Sequence, residues 1–85
     1  MVLAMSHWNH RVMRMTTPQG EIIDQIHEVY YKGDGTVDGW TEDGVSPCFY
    51  VNEEDGQETM VDELNRFMRA TTMPTLNFET GKEIS

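Results

Sequence analysis

The apolar positions change period once along this chain. Trp8 to Met15 (WNHRVMRM) reads as a strand, with Trp8 and Val12 on one face and Met13 and Met15 on the other. Thr16-Thr17-Pro18-Gln19-Gly20 is a turn. Ile22 to Tyr31 (IIDQIHEVYY) is rich in β-branched and aromatic residues and reads as a second strand. Both of its faces are mixed, so alternation does not choose the inward one, but it must send Tyr30 and Tyr31 to opposite faces. Lys32-Gly33-Asp34-Gly35 is a tight connection, and Thr36 to Asp43 (TVDGWTED) is the return strand of a hairpin. Val37 and Trp40 differ in parity there. A bulge at Asp38-Gly39 would bring both onto one face.

After Gly44 the chain enters a loop with Pro47 and the acidic run Asn52-Glu53-Glu54-Asp55. Within it, Cys48-Phe49-Tyr50-Val51 is apolar enough for a short fourth strand or for a loop tucked on the core. Then helical spacing takes over. Met60, Val61, Leu64, Phe67 and Met68 form one stripe, with Asp62, Glu63, Arg66 and Arg69 opposite. The spacing predicts a helix within 57–72, capped by Asp55 with Glu58 or by Thr59 with Asp62. Arg66 and Arg69 suit its C-terminal dipole, and Pro74 stops it. Leu76 and Phe78 are expected to pack back on the core, and Glu79 to Ser85 to fray.

The fold class is therefore α+β: a three-stranded antiparallel meander, four-stranded if Cys48–Val51 joins it, packed by one C-terminal amphipathic helix. Strands are expected near 8–15, 22–31 and 36–43. The expected core is Val12, Ile26, Val29, Trp40, Leu64, Phe67 and Met68. The organisation is a flexible extension over residues 1–5, one domain over 6–78 and a tail over 79–85, with Met5 a plausible second start.

At 85 residues this is one domain with a small core. No apolar run approaches the ~20 residues that span a bilayer, and Met1 to Met5 is too short for a signal peptide. A single cysteine, Cys48, forms no internal disulfide, so a reducing cytoplasm is the expected setting. Charge is unevenly placed. Gln19 to Asn65 holds thirteen acids against Lys32 alone, a balance of −12. The remainder holds five bases against Glu79 and Glu83, a balance of +3, which gives the total of −9. Such a field repels phosphate backbones and steers toward a basic partner, so no direct nucleic acid is expected.

Trp8-Asn9-x-Arg11-Val12, Ile26-His27-Glu28-Val29-Tyr30-Tyr31, Trp40-Thr41-Glu42, Val45-Ser46-Pro47 and the helix before Met73-Pro74 together resemble a family of small uncharacterised bacterial and phage proteins, over most of residues 6–76. The loop from Cys48 to Gln57 is longer here than in that family. The family implies no activity and no catalytic residue. In strand order plus one helix the chain also resembles HicB-type antitoxins. Those are acidic partners that block a basic ribonuclease toxin, which implies an inhibitory role for this chain.

Candidate chemistry is sparse. His7, His10 and His27 are the side chains that would hold zinc or copper, but residues three apart in a strand point to opposite faces. Asp34, Asp38 and Gly39 match positions one, five and six of a calcium loop; Thr36 is a weak third ligand and Val45 cannot ligate at position twelve. Cys48 has no neighbouring base in sequence, and Glu28 with Glu42 is a conceivable carboxylate pair without a pocket to split their pKa values. The expectation is thus a non-enzymatic module without cofactor or metal. Its partner is a basic protein, a nuclease or defence effector; no membrane is involved, and a homodimer is the alternative. The partner-binding residues are expected to be Asp34, Asp38, Glu42 and Asp43, with Tyr30 and Tyr31 as aromatic anchors.

Overall fold

The computed structural model describes residues 7–47 and 56–84. Its elements are β1 (His7–Thr16), β2 (Ile22–Tyr31), β3 (Val37–Trp40), α1 (Gly56–Ala70) and β4 (Leu76–Asn77). The sheet order is β3-β2-β1-β4. Residues 1–5 and the Cys48–Val51 segment lie outside the described residues, as does the cap at Asp55.

β1 and β2 form a full antiparallel hairpin, from His7 opposite Tyr31 to Thr16 opposite Ile22. The turn has Pro18 at its second position. Gly20 sits at φ +90° and returns its amide to the Thr17 carbonyl at 2.8 Å. Only glycine takes that backbone conformation cheaply.

β3 carries the expected bulge. Val29 faces Trp40 and Tyr30 faces Gly39, but Tyr31 faces Val37, leaving Asp38 as the extra residue. Val37 and Trp40 therefore share a face, and both pack on the buried cluster of Met13, Val29, Tyr31 and Leu76. The strand is shorter than the pattern suggested, although Thr41 and Val45 still donate to β2 carbonyls at 3.0 and 2.8 Å.

The sheet is not a pure antiparallel meander. A fourth strand follows the helix and runs parallel to β1, with Met13 opposite Leu76 and Arg14 opposite Asn77. A parallel neighbour needs a crossover connection, and α1 supplies it. The helix is thus internal in the chain, not C-terminal. It ends where the Thr71 and Thr72 hydroxyls take up the Met68 and Arg69 carbonyls at 2.6 and 2.7 Å.

Residues 79–84, expected to fray, turn back onto the sheet. Asn77 donates its amide to the Lys82 carbonyl at 2.8 Å, Ile84 donates to Thr75 at 2.9 Å, and Leu76 bridges Glu83. Phe78 lies 6.2 Å from the Trp40 ring and 5.4 Å from His27. This segment covers the sheet face opposite the helix.

The core accordingly differs from the expected one. Val29 is fully buried, and Val12, Ile26, Trp40 and Phe67 are half-buried. Leu64 is 44% exposed and Met68 66% exposed, so neither is a core residue. The helix meets the sheet along β1, and its inward line is Glu63, Phe67 and Ala70, with the Phe67 ring 4.5 Å from His10. One helix on one strand buries one line of side chains. The rest of the apolar stripe, Met60, Val61, Leu64 and Met68, lies on the flank. No helix among the described residues is long and apolar enough to cross a membrane.

Candidate functional site

The β2–β3 hairpin positions the acidic residues. Its turn closes through Lys32 N–H to the Thr36 carbonyl and Gly35 N–H to the Lys32 carbonyl, both 2.9 Å. Asp34 Oδ1 accepts from the Thr36 amide at 3.0 Å and from the Thr36 hydroxyl at 2.7 Å. Those two donors favour the ionised form and hold the Asp34 carboxyl below its usual range. Asp38, extruded by the bulge, is exposed, and so are Glu42 and Asp43 just beyond β3. All four expected acids therefore lie on the surface of one hairpin and its exit, with Lys32 the only base in that stretch.

The two tyrosines separate as alternation requires. Tyr30 is 37% exposed and donates its hydroxyl to Glu28 Oε1 at 2.7 Å. That bond, with partial burial and the carboxylate charge, pushes the phenol up from its ordinary pKa. Tyr31 is 7% exposed and belongs to the core, so it is not a surface anchor. It stacks on His7, with ring centroids 4.9 Å apart, accepts from Arg11 and donates to Asn9. The aromatic the sequence reading missed is Trp8. It sits directly across from Tyr30 on the helix-bearing face and is 47% exposed. The register of β1 against β2 creates that pair, and no local pattern in the sequence encodes it.

The histidines diverge. His7 and His10 are on opposite faces; His27 is wholly buried, its Nδ1 2.9 Å from the Thr41 carbonyl. That contact makes Nδ1 the donor and leaves Nε2 buried without a partner among the described residues. Among the described residues no three His, Cys, Asp or Glu side chains gather at metal-binding spacing. The Glu28 carboxylate is taken up by Tyr30, and Glu42 is exposed. Cys48 lies outside the described residues.

Comparison of the chain with protein-family models, with curated proteins and with solved structures finds no match.

Proposed function

We propose that this chain is a non-enzymatic acidic interaction module of the cytoplasm that occupies the basic, nucleic-acid-handling surface of a partner protein, in the manner of an inhibitor or antitoxin. One observation carries the reading: Asp34, Asp38, Glu42 and Asp43 are all presented to solvent by one hairpin and its exit, and Tyr30 is exposed on the helix-bearing face of the same hairpin. The acids lie at a turn, a bulge and a strand exit, which expose them. A field of one sign accelerates encounter with a surface of the other. The Trp8–Tyr30 pair then offers rigid amphipathic rings of the kind that dominate interface energetics.

The decisive experiment is association kinetics with the partner isolated from the source cell. The variant Asp34→Asn, Asp38→Asn, Glu42→Gln, Asp43→Asn should keep its unfolding midpoint and lose most of the association rate at low salt. An unchanged rate would reduce the acidic hairpin to a solubility surface.

A second reading is favoured by the flank of α1. Met60, Val61, Leu64 and Met68 leave an apolar stripe in solvent, and a second copy of the chain would cover it. Sedimentation equilibrium of the wild type against Leu64→Glu, Met68→Glu tests it. A dimer dispersed by those changes supports a homodimeric subunit.

A further inference from the structure

We propose that the cleft between the open end of β1 and the last turns of α1 binds a small phosphate monoester carrying an aromatic or apolar group. The cleft has a volume of about 240 Å³ and is lined by Trp8, Asn9, His10, Arg66, Arg69 and Met73. In a chain with fifteen acids and six Lys and Arg residues, its lining among the described residues holds two of the six cations and no acid. Helix-dipole complementarity accounts for a base in the last turn of α1. It does not account for two arginines on one concavity, although Glu63 pairs with Arg66 and its charge, like that of Glu28, reaches His10.

Both guanidinium groups have donors to spare. Arg66 gives Nη1 to Glu63 Oε1 at 3.0 Å, and no other side-chain bond of Arg66 forms among the described residues. Arg69 makes no ion pair among the described residues. Arginine presents planar paired donors that match phosphate, and a monoester with two negative charges answers two of them.

The backbone adds donors. β4 pairs with β1 only at Met13 and Arg14, so among the described residues the N-terminal half of that edge carries no strand. Across the same edge the Arg14 carbonyl accepts from Phe78 N–H at 2.9 Å. Trp8 and His10 share the parity of Arg14, and the amides of one parity point to one edge of a strand. Their N–H groups therefore face the open edge at the cleft.

His10 is the second, independent sign of a ligand. It is 4% exposed, lines the cleft, and its Nδ1 is buried with no partner among the described residues. Native structures rarely leave such a nitrogen unanswered. Its ring is fixed between Phe67 at 4.5 Å and the edge of Trp8 at 5.3 Å. Burial lowers its pKa, so it meets a ligand at neutral pH as an uncharged imidazole.

Size and lining set the remainder of the ligand. The volume lies below the ~300–1,000 Å³ of drug-sized sites, which limits the occupant to a phosphate and one compact group. Trp8 and Met73 give that group an apolar wall. The inference shares only Trp8 with the docking surface and uses none of the hairpin acids. Either reading can fail without the other.

The test is titration of the full chain with phenyl phosphate, inorganic phosphate and benzoate at constant ionic strength, followed by shifts of the Trp8 and His10 resonances. Phenyl phosphate should saturate at millimolar concentration or below, with inorganic phosphate and benzoate each weaker by about tenfold or more. Arg66→Gln and Arg69→Gln should each weaken phenyl phosphate about tenfold, a loss on the order of that for one charge-assisted contact. Arg14→Gln, which removes a cation paired with Asp24 outside the cleft, should leave binding unchanged. The absence of saturable shifts, equal binding of benzoate, or an equal loss in Arg14→Gln would overturn the proposal.

Discussion

The guanidinium of Arg11 donates from Nη1 to the phenolic oxygen of Tyr31 at 3.0 Å, and that phenol donates in turn to Asn9 Oδ1 at 2.7 Å. Arg11 is only 8% exposed. Among the described residues no carboxylate answers it; the Pro74 carbonyl accepts its Nη2 at 2.7 Å instead, and Nε has no partner. Neutral dipoles alone support a buried cation that ties β1, β2 and the segment before β4 together.

Removing the phenol therefore takes one of two acceptors from a buried charge. Tyr31→Phe keeps the ring, its stacking on His7 and its volume, but deletes both bonds. The expected cost is about 1.5–3 kcal/mol, the range for hydrogen bonds to charged groups. Urea unfolding of the two proteins measures it, and equal midpoints would show that water replaces the phenol at Arg11.

The observed core predicts a reversal of the ranking that the helical stripe suggests. Met13 and Leu76 are 0% and 2% exposed. Met13→Ala and Leu76→Ala should each cost ~2–5 kcal/mol, whereas Leu64→Ala should stay below about 1 kcal/mol in the monomer. Chemical denaturation of the three variants decides it. A Leu64 cost equal to that of Leu76 would mean the flank of α1 is covered in solution.

The split between what was legible and what was not follows contact range. Turn chemistry at Gly20 and Gly35, the two long strands and the helix depend on neighbours in sequence, and all were readable. So was the bulge at Asp38-Gly39, because Val37 and Trp40 demanded a common face. β4 was not readable: two residues, Leu76 and Asn77, carry no period. The ordered turn at 77–82 was hidden for a similar reason, since Gly81 matters only because Trp40 lies against it. Alternation placed Tyr30 and Tyr31 on opposite faces but did not say which was inward. That depended on the C-terminal segment covering one face. The acids of the candidate surface were legible because turns and bulges expose them. Trp8 and the cleft beside it were not, since both arise from register and from the rotation of α1 about its axis.

Gly81 and Gly35 separate backbone strain from collision. Both sit at positive φ, +74° and +89°. A Cβ on Gly35 meets nothing within 4 Å, while a Cβ on Gly81 would lie 2.5 Å from Trp40 Cζ3 and 2.9 Å from Cη2. Gly35→Ala should cost about 1–2 kcal/mol from the left-handed backbone alone. Gly81→Ala adds overpacking of about 1–3 kcal/mol to a similar strain. Thermal unfolding should therefore rank Gly81→Ala well below Gly35→Ala, and equal midpoints would place Trp40 away from the turn.

Acidification should weaken the fold through His10. Burial lowers its pKa below the ordinary 6.5; Glu63 from α1 and Glu28 from β2 oppose that shift, and Arg66 reinforces it. Between the folded value and 6.5 the unfolded chain binds more protons than the native one, so stability falls as pH drops through that window and is intact above it. The measurement is unfolding free energy from pH 7 downward for the wild type and His10→Asn. The wild type should lose more stability than the variant over the window, and parallel curves would remove His10 from the account.

The aromatic pair should govern how long a partner stays, as distinct from how fast it arrives. Trp8 and Tyr30 are opposite one another on the strand register, and 47% and 37% exposed. Their truncation should leave the fold in place, although Trp8→Ala removes the edge contact to His10 and Tyr30→Ala frees Glu28 from its 2.7 Å bond. In an interface, exposed aromatic anchors of this kind are worth about 2 kcal/mol or more each, which is roughly a thirtyfold change in dissociation rate. Trp8→Ala and Tyr30→Ala should thus speed dissociation of the partner complex and leave the low-salt association rate near the wild-type value, because neither removes charge. Tyr30→Phe isolates the hydroxyl: it keeps the ring and should retain most of the residence time. Surface-binding kinetics at low and high salt read both rates from one experiment. If the acidic variant and the aromatic variants slow association alike, charge and anchor are not separate parts of the surface. If the aromatic variants leave dissociation unchanged, Trp8 and Tyr30 lie outside the interface.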